Sequence, residues 1–144
     1  MQVFVPYRAP LDVAKCLDDL RLHKQIIECK QIIDAIDGRS SAWGNHPIVR
    51  MYRPYRNWLV MYKWCLTAFW EGDFSSAEVA SREASGWAPP FLRQDFCDQH
   101  KRRLYTKSPD LYPEWAYLGT SEENWYVVDG ELVKYVGGKE YETT

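Results

Sequence analysis

A mainly helical fold, a compact single-domain bundle with a small C-terminal β-hairpin, is the class the sequence predicts, and three observations predict it. Apolar residues recur at helical spacing through most of residues 10–107. Proline and glycine fall where such helices would start and stop. Asp129-Gly130 separates two short strand-like runs. A chain of 144 residues, 46% hydrophobic and 15% aromatic, fills one core and is short for two. Residues 1–119 are therefore read as one helical domain, and residues 120–144 as an acidic hairpin appendix packed on it.

The first helical pattern opens at Pro10, after a short apolar lead at residues 3–5 and Pro6, and runs to about Ile36. Its core face is read as Leu22, Ile26, Cys29, Ile33 and Ile36, its length suggests a break near Arg21, and Gly38 suits a left-handed cap. Asn45 offers an N-cap ahead of Pro47. From there Ile48, Met51, Tyr55, Leu59, Tyr62 and Leu66 repeat at helical spacing as far as Phe69, with Gly72 as the stop and Pro54 as a kink. Ser75 and Glu78 form a capping-box signature for a short helix through Ala84, ended by Gly86 and Pro89-Pro90. A further helix is expected over residues 91–107, basic in its second half, before Ser108-Pro109 and an aromatic loop at 112–119. Residues 125–128 and 131–136 should pair around a type I′ turn.

Eighteen basic and twenty acidic residues give a formal charge of -2, which argues against a generic polyanion binder. The distribution is uneven. Residues 38–70 contain no acid but carry Arg39, Arg50, Arg53, Arg56 and Lys63, whereas six acids face two lysines beyond Gly119. Without that last segment the chain has 16 basic and 14 acidic residues, so a local positive field can form. Cys16, Cys29, Cys65 and Cys97 are scattered, with no C-x-x-C pair; reduced core thiols are expected, and no metal site. The N-terminus lacks the basic-then-apolar pattern of a leader and no apolar run is long enough for a membrane span, so a soluble protein of the cytoplasm (the host's, if phage-encoded) is expected.

On the first long helix Arg21, Lys24, Glu28 and Gln31 fall within a stripe of roughly 80° away from the apolar face. A carboxylate framed by cations suits a phosphate-bearing substrate: the cations hold phosphate oxygens while the acid moves a proton or stabilises a cation. The competing reading is a solvated face of i,i+3 and i,i+4 pairs. His46 before Pro47, Arg50 and Arg53 along the next helix, and the Arg103 and Lys107 pair could join the stripe. Each also has a local structural reading as a cap, a packed side chain or a helix-dipole partner. Trp115 and Tyr117 could stack on bases, although with seven Trp and ten Tyr most aromatic residues must be core.

Several ordered segments carry a specific resemblance. Leu17-Asp-Asp-Leu-Arg-Leu-His-Lys-Gln-x-x-Glu28-Cys-Lys-Gln, Trp43-x-Asn-His46-Pro and the run that follows it, Arg103-Leu-x-x-Lys107 and Pro113-Glu-Trp115-Ala-Tyr117-Leu-Gly119 occur in one order. They resemble the pyrimidine-dimer DNA glycosylase family of the endonuclease V type, especially its smaller bacterial and phage members. The resemblance implies a DNA-repair enzyme without cofactor or metal, acting on damaged or modified pyrimidines in duplex DNA. In the family an N-terminal α-amine attacks the sugar's anomeric carbon, and a Schiff base and β-elimination follow. It further implies that Glu28 is the essential acid and that His46, Arg103, Lys107, Trp115 and Tyr117 are DNA-binding positions.

This chain departs from the pattern at several points. Gln2 is bulky, so Met1 should be retained and its amine would be the nucleophile; otherwise Lys24, one turn from Glu28, takes that role, or abasic-site lyase activity has been lost. Ile27 and Gln31 stand where the family carries arginines, which shifts phosphate contacts to Arg21, Lys24 or Arg50. The alternative is a non-catalytic module that binds nucleic acid or a protein on the same scaffold, with the hairpin as a candidate protein-partner surface.

Overall fold

A computed structural model describes residues 2–136. Its helices are α1 (Pro10–Cys16), α2 (Asp19–Ile36), α3 (Pro47–Tyr52), α4 (Arg56–Trp70), α5 (Phe74–Ser85) and α6 (Gln94–Lys107), followed by the strands β1 (Glu123–Val128) and β2 (Glu131–Val136). The mainly helical class with a C-terminal antiparallel hairpin is thus the observed one. Residue 1 and residues 137–144 lie outside the description.

The boundaries moved where a local cap outcompeted the periodic pattern. The first helical run breaks at Leu17 and Asp18, ahead of Arg21, because Leu17 is extended and the Asp18 carboxylate accepts the Arg21 N–H at 3.3 Å. His46, not Asn45, caps α3. Pro47 holds the residue before it in extended backbone, and the His46 Nδ1 there accepts the Ile48 N–H at 3.0 Å. Pro54 converts one turn, Arg53–Tyr55, into 3-10 helix and so separates α3 from α4. Asp73 caps α5 through the N–H and hydroxyl of Ser76, so Ser75 is already inside the helix. α6 begins at Gln94, three residues later than the periodicity suggests, and the aromatic loop carries a 3-10 helix over Pro113–Leu118.

The core forms where α4 packs against α1, α2 and α5. Trp58, Leu59, Tyr62, Cys65 and Leu66 of α4 are fully or almost fully enclosed. On α2 the buried face is Leu22, Gln25, Cys29, Ile32 and Ala35; Ile26, Ile33 and Ile36 are only half-buried, so the helix is rotated from the expected face. That rotation brings a glutamine into the interior. The hairpin turns through Asp129 (φ 53°) and Gly130 (φ 80°), the two left-handed residues of a type I′ turn, with Val128 opposite Glu131. β1 alternates buried Asn124, Tyr126 and Val128 against α3 and α6, which makes it part of the core wall, while β2 lies outside it. Burial pushes the thiols of Cys16 and Cys65 up to about 12 and that of Cys97 to about 11; all four cysteines are free. No helix among the described residues is long and apolar enough to cross a membrane.

Candidate active site

Residues 2–5 run through the interior without pairing to a strand, yet Val3 and Val5 are completely buried. Buried backbone amides need partners, and here side chains supply them. The Gln2 N–H donates to Glu28 Oε2 at 2.6 Å and the Phe4 N–H to Gln25 Oε1 at 2.7 Å, both on α2. Gln25 returns a hydrogen bond from its Nε2 to the Phe4 carbonyl, and the Tyr62 hydroxyl of α4 donates to that same oxygen at 2.7 Å while accepting from the Gln25 amide. The Val5 N–H points to α6, where His100 Nδ1 accepts it at 2.6 Å. A chain segment is thereby gripped from both sides. Met1, read from the sequence as the source of the nucleophile, lies outside the described residues.

Gln2 and Phe4 form one wall of a hollow of about 500 Å³, a size suited to a sugar or nucleoside. Arg21, Lys24, Glu28 and Gln31 of α2 form another, so the whole predicted stripe lines it, and Lys107 from the last turn of α6 and Trp43 from the turn before α3 complete it. Arg21 is held by Asp18 at 3.0 Å and donates to the Ser108 hydroxyl at 2.7 Å, with Tyr112 beneath its guanidinium. Burial works to raise the Asp18 carboxyl, but its hydrogen bonds from Tyr112 and Arg21 win and hold it below the usual carboxylate range. The Lys107 ammonium is lowered from the ordinary lysine value by burial and by Arg103, Arg21 and Lys24. Lys24 and Lys107 have no ion-pair partner among the described residues. The arrangement presents a carboxylate, cations and the backbone at Gln2 to one cavity.

Other sequence-predicted positions fall elsewhere. His46 is 2% exposed, its imidazole held below the ordinary value at about 4 by burial, and it packs edge-on to Trp43 and Tyr126. Arg103 is buried and donates to Asn124 Oδ1 at 3.1 Å and the Ser121 carbonyl at 3.0 Å, fastening the approach of β1 to α6. Trp115 is buried and stacked on Tyr112 with ring centroids 5.3 Å apart. All three are therefore packed largely inside the protein rather than presented on an open face. Arg50 is exposed but pairs with Asp129 at 3.1 Å beside a different groove, Arg53 faces solvent near Trp87, and Tyr117 is 77% exposed in the 3-10 segment.

Sequence reasoning missed Gln25, Tyr62, His100 and Trp43. A signal existed for Gln25, which stands three residues after Leu22 and four before Cys29 on the buried side of α2. An amide at such a position needs partners. The backbone of residues 2–5 that supplies them has no sequence signature.

The fold is thus a helical bundle whose hollow sets the Glu28 carboxylate among Arg21, Lys24 and Lys107, beside Gln2. The family model described as pyrimidine dimer DNA glycosylase matches residues 1–71 of the 144-residue chain, so just under half of the chain is similar to that family. The match takes in the N-terminal segment and α1 to α4, and with them Gln25, Glu28 and Tyr62. No curated protein and no solved structure matches the chain.

Proposed function

We propose that this chain is a DNA glycosylase that removes a damaged or modified pyrimidine from duplex DNA, with the amino-terminal α-amine as nucleophile and Glu28 as its acid-base partner. The hydrogen bond from the Gln2 N–H to Glu28 carries this reading, because it fixes the carboxylate one residue from the amine. An α-amine has a pKa of roughly 7.7 to 8.0 and is partly unprotonated at neutral pH, unlike an unperturbed lysine near 10.4. The amine attacks C1′, the glycosidic C–N bond breaks, and the base leaves with its electron pair and a proton. Loss of the amine proton and opening of the sugar ring, with O4′ protonated by Glu28, give an iminium at C1′. Water releases the abasic product, or removal of a C2′ proton expels the 3′ phosphate as an abasic-site lyase would. Arg21, Lys24 and Lys107 hold the flanking phosphates, and Arg50, Arg53 and Tyr117 offer further contacts on the same duplex.

Borohydride reduction of the iminium tests the mechanism. A trapped protein-DNA adduct that disappears on acetylation of the amino terminus supports the α-amine; an adduct that survives, mapped to Lys24, moves the nucleophile there. A second reading, a non-catalytic binding module, is favoured by Ile27 and Gln31 at positions where the resemblance expects arginines. It predicts salt-sensitive DNA association, no adduct, and indifference to loss of Glu28.

A further inference from the structure

α2 carries a second stripe beside the polar one. Leu20, Lys24, Ile27 and Gln31 stand at i, i+4, i+7 and i+11, within about 60° of one another, and all four line the hollow. Leu20 is 76% exposed and Ile27 44% exposed. Single exposed aliphatic side chains are ordinary on protein surfaces. These two differ in their setting, because they flank Lys24 at the rim of a cavity whose other cations are Arg21 and Lys107, with Glu28 as its one carboxylate. Three cations draw a polyanion to the rim, yet phosphates offer an aliphatic side chain nothing. What matches Leu and Ile in a nucleic acid is the apolar face of a base that has lost its neighbour, and such side chains open base steps in other DNA-bending proteins.

We propose that Leu20 and Ile27 form a wedge that enters duplex DNA at the damaged base step and holds the stack open while the sugar occupies the hollow. The charge pattern commits the surface to duplex DNA: Lys24, between the two wedge residues and without an ion pair among the described residues, contacts the phosphate of the step being opened. The wedge also gives selectivity, since a step already weakened by damage costs less to separate than an intact one. This inference rests on the DNA reading above.

The test uses the full chain, Leu20→Ala, Ile27→Ala and the double variant, with two duplexes. One is intact; the other carries a tetrahydrofuran abasic analogue opposite 2-aminopurine. Because both side chains are exposed, truncation should leave the unfolding transition unchanged. The wild type is expected to bind the analogue duplex at least tenfold tighter than the intact one and to raise 2-aminopurine fluorescence at least threefold. The double variant should lose both effects while binding intact duplex within twofold of wild type. A double variant that keeps the fluorescence rise and the tenfold preference overturns the wedge alone. A wild type that binds neither duplex overturns the wedge and the DNA reading together.

Discussion

Glu28 is half-buried, and its Oε2 is engaged by the Gln2 N–H at 2.6 Å. A glutamine there can still accept that hydrogen bond through its amide oxygen but cannot transfer a proton. Glu28→Gln should therefore leave duplex binding by fluorescence anisotropy within about twofold and lower release of the damaged base by about 10²-fold or more, the usual scale of a lost acid-base group. Base release at the wild-type rate would move the chemistry away from this carboxylate. Gln25 makes the complementary case for structure. Gln25→Leu removes the acceptor for the Phe4 N–H and leaves that amide unpaired in the interior, an expected loss of about 1–3 kcal/mol in urea unfolding. The stripe of Arg21, Lys24, Glu28 and Gln31 was legible in the sequence because helical spacing alone sets which side chains share a face. Burial of His46, Arg103 and Trp115 was not legible, since it depends on Tyr126, Asn124 and Tyr7 arriving from distant parts of the chain.

At the scale of elements, the N-terminal segment is held at residues 2, 4 and 5 by α2, α4 and α6. Its register fixes Gln2 relative to Glu28. One glycine added ahead of Met1 leaves every one of those hydrogen bonds available but carries the amine roughly 3.3–3.8 Å further along the chain. Borohydride trapping should fall at least tenfold with the melting temperature unchanged, whereas catalysis through Lys24 would be indifferent to the extra residue. Most elements could be read beforehand, because proline, glycine and side-chain caps act within a few residues. Pro54 broke the second long run and Asp129-Gly130 turned the hairpin where expected. The exact starts of α2, α3 and α5 followed Asp18, His46 and Asp73, where several neighbouring residues were competent caps and the backbone chose among them. Residues 2–5 were beyond reach for a different reason: their partners are side chains 21 to 95 positions away.

For the whole molecule, acid is the condition that should undo this arrangement. His100 accepts the Val5 N–H on Nδ1, and burial holds its imidazole down to about 3; His46 accepts the Ile48 N–H in the same way and is held at about 4. Protonating either nitrogen replaces an acceptor with a second donor facing an N–H, and places a charge in the interior. In the unfolded chain both titrate near 6.5. Between pH 6.5 and the folded values the unfolded state therefore binds more protons, so stability from these two groups is fully present above about 6.5 and declines as pH falls toward 4 and 3. By pH 5 the two together should cost roughly 3–4 kcal/mol relative to pH 7, a large share of the 5–15 kcal/mol typical of a domain. Urea unfolding at pH 7 and pH 5 measures this directly. His100→Gln, whose amide oxygen can still accept from Val5, should cut the difference to about half. Equal unfolding midpoints at the two pH values would mean that the histidines titrate normally and that the grip of α6 on the amino-terminal segment does not depend on a neutral imidazole.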